Sequence, residues 1–144
     1  MKLYFDPKKC GECQICEIVC ALNHTGTCNP CQSRVRIGYK GDHLPKLLVC
    51  RQCKKAPCSA ACPENAVVRD ENLGFIVIDK QRCLRHTQKD NHCQECIAAC
   101  AFDQLKIDPI TEEIINCDLC KGNMLCAEFC PTGAIQIKQN SSKQ

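Results

Sequence analysis

The chain has 144 residues and a formal charge of +3, and its 44% apolar fraction counts 18 cysteines beside only 4% aromatics and no tryptophan. So thin a hydrocarbon core calls for staples of another kind. No window approaches 18 consecutive apolar residues, which excludes a helical membrane span, and no Lys/Arg run interleaved with aromatics marks a nucleic-acid surface.

The opening residues, Met1-Lys-Leu-Tyr-Phe-Asp-Pro-Lys-Lys9, contain neither an apolar signal core nor a small-residue cleavage site, so the expected compartment is the cytoplasm. There, cysteine serves metals more often than disulfides. Four cysteine groups follow, beginning at positions 10, 50, 83 and 117 with steps of 40, 33 and 34 residues. The first is Cys10-x2-Cys13-x2-Cys16-x3-Cys20. The second is Cys50-x2-Cys53-x4-Cys58-x3-Cys62-Pro63. The third is Cys83-x9-Cys93-x2-Cys96-x3-Cys100, and the fourth is Cys117-x2-Cys120-x5-Cys126-x3-Cys130-Pro131. Each ends in C-x3-C. This internal repeat uses 16 of the 18 cysteines and leaves Cys28 and Cys31 as a separate C-x2-C pair.

Between the groups lie strand-length apolar runs. In the first group's wake, Arg34 and Arg36 alternate with Val35 and Ile37, as on a strand with one solvated face. Residues 67–78 predict a hairpin with a polar turn and Gly74. Residues 105–108 and 113–116 predict a second hairpin around Pro109, and 134–138 alternate as a closing edge strand. The C-x3-C ends predict one or two helical turns, where residues four apart share a face. Long helices are not expected, and the polar tail 139–144 is expected to be mobile.

Three chemistries crowd thiols in this way. Disulfides suit a small secreted scaffold, and the secretory leader is missing. Structural zinc takes four ligands, usually as two separated pairs, and has no use for a third cysteine two residues after the second. A C-x2-C-x2-C run with a fourth cysteine three residues on wraps an iron–sulfur cubane, the fourth thiolate reaching a neighbouring cluster. Iron–sulfur is therefore the expected chemistry. An oxidised four-iron cluster with four thiolates carries roughly −2, so four of them would turn +3 into about −5. The sequence pI of 8.1 is then no argument for nucleic acid.

Three stretches carry a family resemblance: Cys20-Ala-Leu-Asn-His-Thr-Gly26 with Asn29-Pro-Cys-Gln-Ser-Arg-Val-Arg-Ile37; Cys53-Lys-Lys-Ala-Pro-Cys-Ser-Ala-Ala-Cys-Pro63; and Asn116-Cys-Asp-Leu-Cys-Lys-Gly122 with Phe129-Cys-Pro-Thr-Gly-Ala-Ile135. Over roughly residues 8–138 the chain resembles the four-cluster ferredoxin-like electron-transfer subunits of molybdenum and tungsten oxidoreductases and of carbon monoxide dehydrogenase systems. In length it is nearest the small partners of tungsten aldehyde oxidoreductases, including that of the benzoyl-CoA reductase complex. The resemblance implies a small α+β, loop-rich tandem ferredoxin-like fold of the bacterial two-cluster type, with short hairpins and helices around the clusters. It implies one module from 1–49 and 105–144, with a second, 50–104, inserted in it. It pairs the first group with the fourth and the second with the third. One cluster would use Cys10, Cys13, Cys16 and Cys130, and its neighbour Cys117, Cys120, Cys126 and Cys20. The other pair would use Cys50, Cys53, Cys58 and Cys100, then Cys83, Cys93, Cys96 and Cys62. Spacing alone allows adjacent groups to pair instead.

The chain departs from the family pattern in two places. Nine residues separate Cys83 from Cys93 and carry His86 and His92, and Cys28 with Cys31 stands where no cysteine is needed. One reading makes the insertion a surface loop with Cys83 still a ligand and four [4Fe–4S] clusters in all. The other draws on His86, His92, Cys28 and Cys31 for one zinc beside three clusters. His24 and His43 read as surface or hydrogen-bonding residues, and Lys54 and Lys55, beside ligands, as sources of positive charge. No catalytic constellation and no phosphate loop is present. The expected role is a non-catalytic electron relay between a larger tungsten or molybdenum subunit and a further carrier. A free multi-cluster ferredoxin and a zinc-knuckle module binding nucleic acid are the alternatives.

Overall fold

A computed structural model describes residues 2–39, 41 and 43–138, so the expectation for the 139–144 tail lies outside the described residues. In chain order the elements are β1 (Lys2–Phe5), α1 (Ile15–Thr25), a 3-10 turn (Pro30–Gln32), β2 (Arg36–Tyr39), β3 (Pro45–Leu48), α2 (Pro57–Ala60), β4 (Val67–Arg69), β5 (Ile76–Ile78), α3 (Leu84–Thr87), α4 (Glu95–Ala98), β6 (Lys106–Ile107), β7 (Ile114–Ile115), a 3-10 turn (Leu119–Gly122), α5 (Leu125–Glu128) and β8 (Ile135–Lys138). The strands form four antiparallel pairs: β1 with β8, β2 with β3, β4 with β5 and β6 with β7.

These elements belong to two compact units, one of Met1–Leu48 and Asn123–Gln144, the other of Val49–Gly122. In the first, β1 meets β8 with Phe5 opposite Ile135, and β2 meets β3 with Arg36 opposite Leu48. Ala21, Val35, Ala134 and Ile135 are buried. In the second, the expected hairpins form, with Val67 opposite Ile78 and Lys106 opposite Ile115. Val67, Ile76, Leu105 and Ile114 cluster with Ala56, Cys58 and Cys96. Each fully buried Val, Leu or Ile there contributes about 1.5–3 kcal/mol. Leu105 and Ile114 thus pack with Val67 and Ile76, whereas the sequence reading placed everything after 104 with the first unit.

Three of the C-x3-C ends are single helical turns, as expected: α2, α4 and α5 hold Cys58, Cys96 and Cys126. The first is not. α1 runs 11 residues, through Cys20 to a left-handed Gly26 whose N–H closes on the Leu22 carbonyl at 2.9 Å. Proline follows Cys62 and Cys130 and bars a longer helix there; none follows Cys20, nor Cys100, where the helix nevertheless ends.

Candidate cluster-binding cavities

The cysteine loops are shaped by a recurrent set of left-handed corners. The residue before the second cysteine has positive φ at Glu12, Gln52 and Leu119, and the residue two before the third at Gln14, Ala56 and Met124. Non-glycine residues adopt this conformation at a cost of about 1–2 kcal/mol each. The corners let successive cysteines turn inward from a short loop. The third group has neither corner: His92 is not left-handed, and Gln94 has φ −146.

A second corner follows the last cysteine. Asn65, Asp103 and Gly133 each have positive φ, and each N–H donates to the carbonyl three residues back, on Cys62, Cys100 and Cys130, at 3.2–3.3 Å. The next N–H then faces sulfur: Ala66 donates to Cys62 Sγ at 3.2 Å and Gln104 to Cys100 Sγ at 3.4 Å. The strands β4, β6 and β8 begin directly beyond these turns. After Cys20 the helix uses the equivalent N–H for itself. There Arg34 N donates to Cys20 Sγ from across the loop at 3.3 Å, and His24 Nδ1 lies 3.7 Å away.

Among the described residues, three cavities are each lined by four cysteines. Cys10, Cys13, Cys16 and Cys130 line one, with Phe5, Ile37 and Ile135. Cys50, Cys53, Cys58 and Cys100 line another, with Ile76, Phe102 and Leu105. Cys62, Cys83, Cys93 and Cys96 line the third, with Val67, Ile78, Leu84 and Ile114. In each, a run of three cysteines is completed by a C-x3-C cysteine or its counterpart from another group. Of the remaining candidates, Cys20 and Cys126 lie in the first unit, and Cys117 and Cys120 in the second.

The donor set fits an iron–sulfur cluster. All 18 cysteines are free of disulfides. Tetrahedral zinc, with Zn–S about 2.3 Å, holds its sulfurs less than about 4.6 Å apart. Among the described residues no three cysteine sulfurs lie within 4.8 Å of one another, so each cavity suits a larger object that keeps its ligands apart. Burial, then the neighbouring Glu17 carboxylate, pushes the Cys16 thiol up to about 12, and burial with the surrounding thiols does the same for Cys96. Burial likewise raises Cys50 and Cys58. These are sites where only a bound cation makes thiolates favourable.

The insertion after Cys83 folds as α3. Cys83 and Leu84 face the third cavity, while Arg85 and His86 face a separate polar pocket that His92, Lys89 and Glu113 also line. The His86 side chain is buried, with Nδ1 3.2 Å from Glu113 Oε1. Burial pushes the Glu113 carboxyl up, but its 2.8 Å bond from Lys80 and the His86 charge outweigh this and hold it below its ordinary value. Among the described residues neither His86 nor His92, nor Cys28 or Cys31, belongs to a trio of ligand atoms within 4.8 Å of one another. Cys28 and Cys31 are exposed. Lys54, Lys55 and His43 are exposed, Arg36 is on the solvent face of β2, and Arg34 acts through its main-chain N–H. His24 is the residue that sequence reasoning undervalued. Its place four residues after Cys20, on a helix with no proline to end it, was the available signal.

Cysteine runs closed by a cysteine from a distant group, around apolar cavities, define a ferredoxin-like iron–sulfur electron-transfer protein. The chain belongs to the 4Fe–4S dicluster domain family, whose model matches residues 42–140. Its cofactor is the [4Fe–4S] cluster, in more than one copy; the Cys10–Cys20 group lies ahead of the matched span. The polyferredoxin-like subunit of aliphatic sulfonate oxidoreductase from Pyrococcus furiosus is 36% identical over 126 residues, which are 86% of this chain and 68% of that protein. Subunit beta of NADH-dependent phenylglyoxylate dehydrogenase from Aromatoleum evansii is 36% identical over 135 residues, 92% of this chain and 29% of that longer protein. The putative electron transport protein YsaA of Escherichia coli is 32% identical, over 91% of this chain and 85% of its own length. The active-site complex BamBC of benzoyl-coenzyme A reductase shares the fold, with a TM-score of 0.51 at 21% identity over 94% of this chain and 75% of that one. No helix among the described residues is long and apolar enough to cross a membrane.

Proposed function

We propose that this chain is the electron-transfer subunit of an oxidoreductase complex, with four [4Fe–4S] clusters in tandem two-cluster modules. It passes electrons between a larger catalytic subunit, of the tungsten or molybdenum type, and a further carrier, in the cytoplasm. It performs no substrate chemistry itself. The observation that carries this reading is the set of three cavities, each lined by four cysteines drawn from two groups. The fourth set, Cys117, Cys120, Cys126 and Cys20, is what the family resemblance implies. The relatives named above as electron-transfer or polyferredoxin-like subunits support the partnership.

Each cluster, when bound, accepts and releases one electron. The chain's part is to supply thiolates, exclude water with Phe5, Ile76, Phe102 and Ile114, and direct N–H groups at sulfur. Burial, charge and such hydrogen bonds are the levers that set cluster potentials. Iron and zinc per chain on anaerobically purified protein test the reading. About 16 irons and no zinc are expected for four cubanes. About 12 irons with one zinc would shorten the relay and assign the ion to Cys28/Cys31 or the insertion. Several zincs with little iron would sink electron transfer altogether. Co-purification with a large subunit separates a docked relay from a free ferredoxin.

A further inference from the structure

The four returning cysteines are not equally hydrogen-bonded. Cys62 and Cys100 take their bonds from main-chain N–H groups, of Ala66 and Gln104. Cys20 and Cys130 also meet a side-chain donor. His24 Nδ1 lies 3.7 Å from Cys20 Sγ, and Thr132 Oγ1 lies 3.7 Å from Cys130 Sγ. A metal-bound thiolate has no proton to give, so the Thr132 hydroxyl is the donor. The His24 tautomer is fixed as well. Its Nδ1 lies 2.8 Å from the Cys20 carbonyl oxygen, which can only accept, so Nδ1 carries the proton and shares it between oxygen and sulfur of one residue.

Two further facts strengthen the contrast. Cys20 is 5% exposed, so the bonds to it act in a poorly screened site. The main-chain N–H of Arg34 donates to the same sulfur at 3.3 Å. Donors aimed at sulfur favour the more negative, reduced state of a cluster.

We propose that His24 and Thr132 are positioning residues that make the clusters ligated by Cys20 and Cys130 the high-potential pair, so that an electron delivered to the chain comes to rest there. The inference rests on the four-cluster reading. The transfer moves one electron from a partner subunit or carrier, and no bond forms or breaks.

The test is a potentiometric titration of the holoprotein followed by EPR, with iron content measured for every variant. His24→Leu is expected to lower one of the two highest midpoints by at least tenfold in its reduction equilibrium, about 59 mV for one electron, and to leave the other three unchanged. Thr132→Val is expected to lower the other of the two. His24→Gln keeps an amide donor and is expected to recover most of the first shift. Should His24→Leu lose iron, Thr132→Val and His24→Gln carry the same test. The proposal is overturned if iron is retained and no midpoint moves, or if the midpoints that move are the two lowest. Too little iron in the unaltered protein would overturn the four-cluster reading, and this inference with it.

Discussion

The side-chain amide of Gln52 donates to the main-chain carbonyl of Cys117 at 2.7 Å, across 65 residues of chain. The same amide's oxygen accepts from Ile76 N at 2.7 Å, so one side chain ties the second cysteine loop to β5 and to the start of the fourth group. Ile76 and Cys117 are both buried. Gln52→Met leaves the Ile76 N–H unpaired, at a cost of about 1–3 kcal/mol, while the Cys117 carbonyl keeps the Asn116 amide at 3.3 Å. A clear drop in the thermal midpoint of the holoprotein, with iron content unchanged at low temperature, is the expected result.

Glu17 separates charge from hydrogen bonding. It is 8% exposed, and its Oε1 accepts from Ile37 N at 2.8 Å. Glu17→Gln keeps the acceptor and removes a negative charge beside Cys16, so it is expected to raise the midpoint of the cluster that Cys16 ligates while leaving stability nearly unchanged. Glu17→Ala leaves the Ile37 N–H unpaired and is expected to destabilise by about 1–3 kcal/mol. Voltammetry reads the first effect and denaturant melts the second.

The corner at Asn65 gives a backbone test. Its φ is 49, and it aims the Ala66 N–H at Cys62 Sγ. A β-branched residue is strained there, so Asn65→Val is expected to cost about 1–2 kcal/mol or more and to lower the potential of the cluster that Cys62 ligates. Asn65→Gly relieves the strain and is expected to keep both properties.

Stripping the iron anaerobically with a chelator is expected to abolish most ordered structure, read by circular dichroism, because binding energy and folding energy are shared in such sites. A chain that kept its near-native spectrum without iron would show that the apolar cluster around Val67, Ile76 and Ile114 suffices alone.

Residues 67–78 could be read as a hairpin because β-branched runs flank a polar turn and Gly74. The hairpin of β2 and β3 was only half legible. Its first strand showed in the Arg34–Ile37 alternation, but no strand was expected at Pro45–Leu48, which follows two glycines and opens on a proline. The length of α1 was hidden because Cys10–Cys20 reads first as a ligand loop. Spacing showed which three cysteines run together, even at Cys83, where α3 takes up the first inserted residues and that sulfur stays with Cys93 and Cys96. The cysteine that closes each cavity was implied by the family resemblance and not by spacing. The left-handed corners at Glu12, Gln14 and Gln52 had no such signal. Propensity would place glycine or asparagine there, and tertiary demand overrides it.

Cys130 lines one cavity with Cys10, Cys13 and Cys16 from the far end of the chain, whereas the two cavities of the second unit have all their cysteines once residue 100 exists. During synthesis the thiols made first are therefore the last to be enclosed. A nascent chain still short of residue 130 exposes three unsatisfied sulfurs at its head while its middle is ready to take iron. Assembly machinery meets this protein from the inside out, and a premature stop after Gly122 would spare the middle cavities while leaving the opening group permanently unsealed.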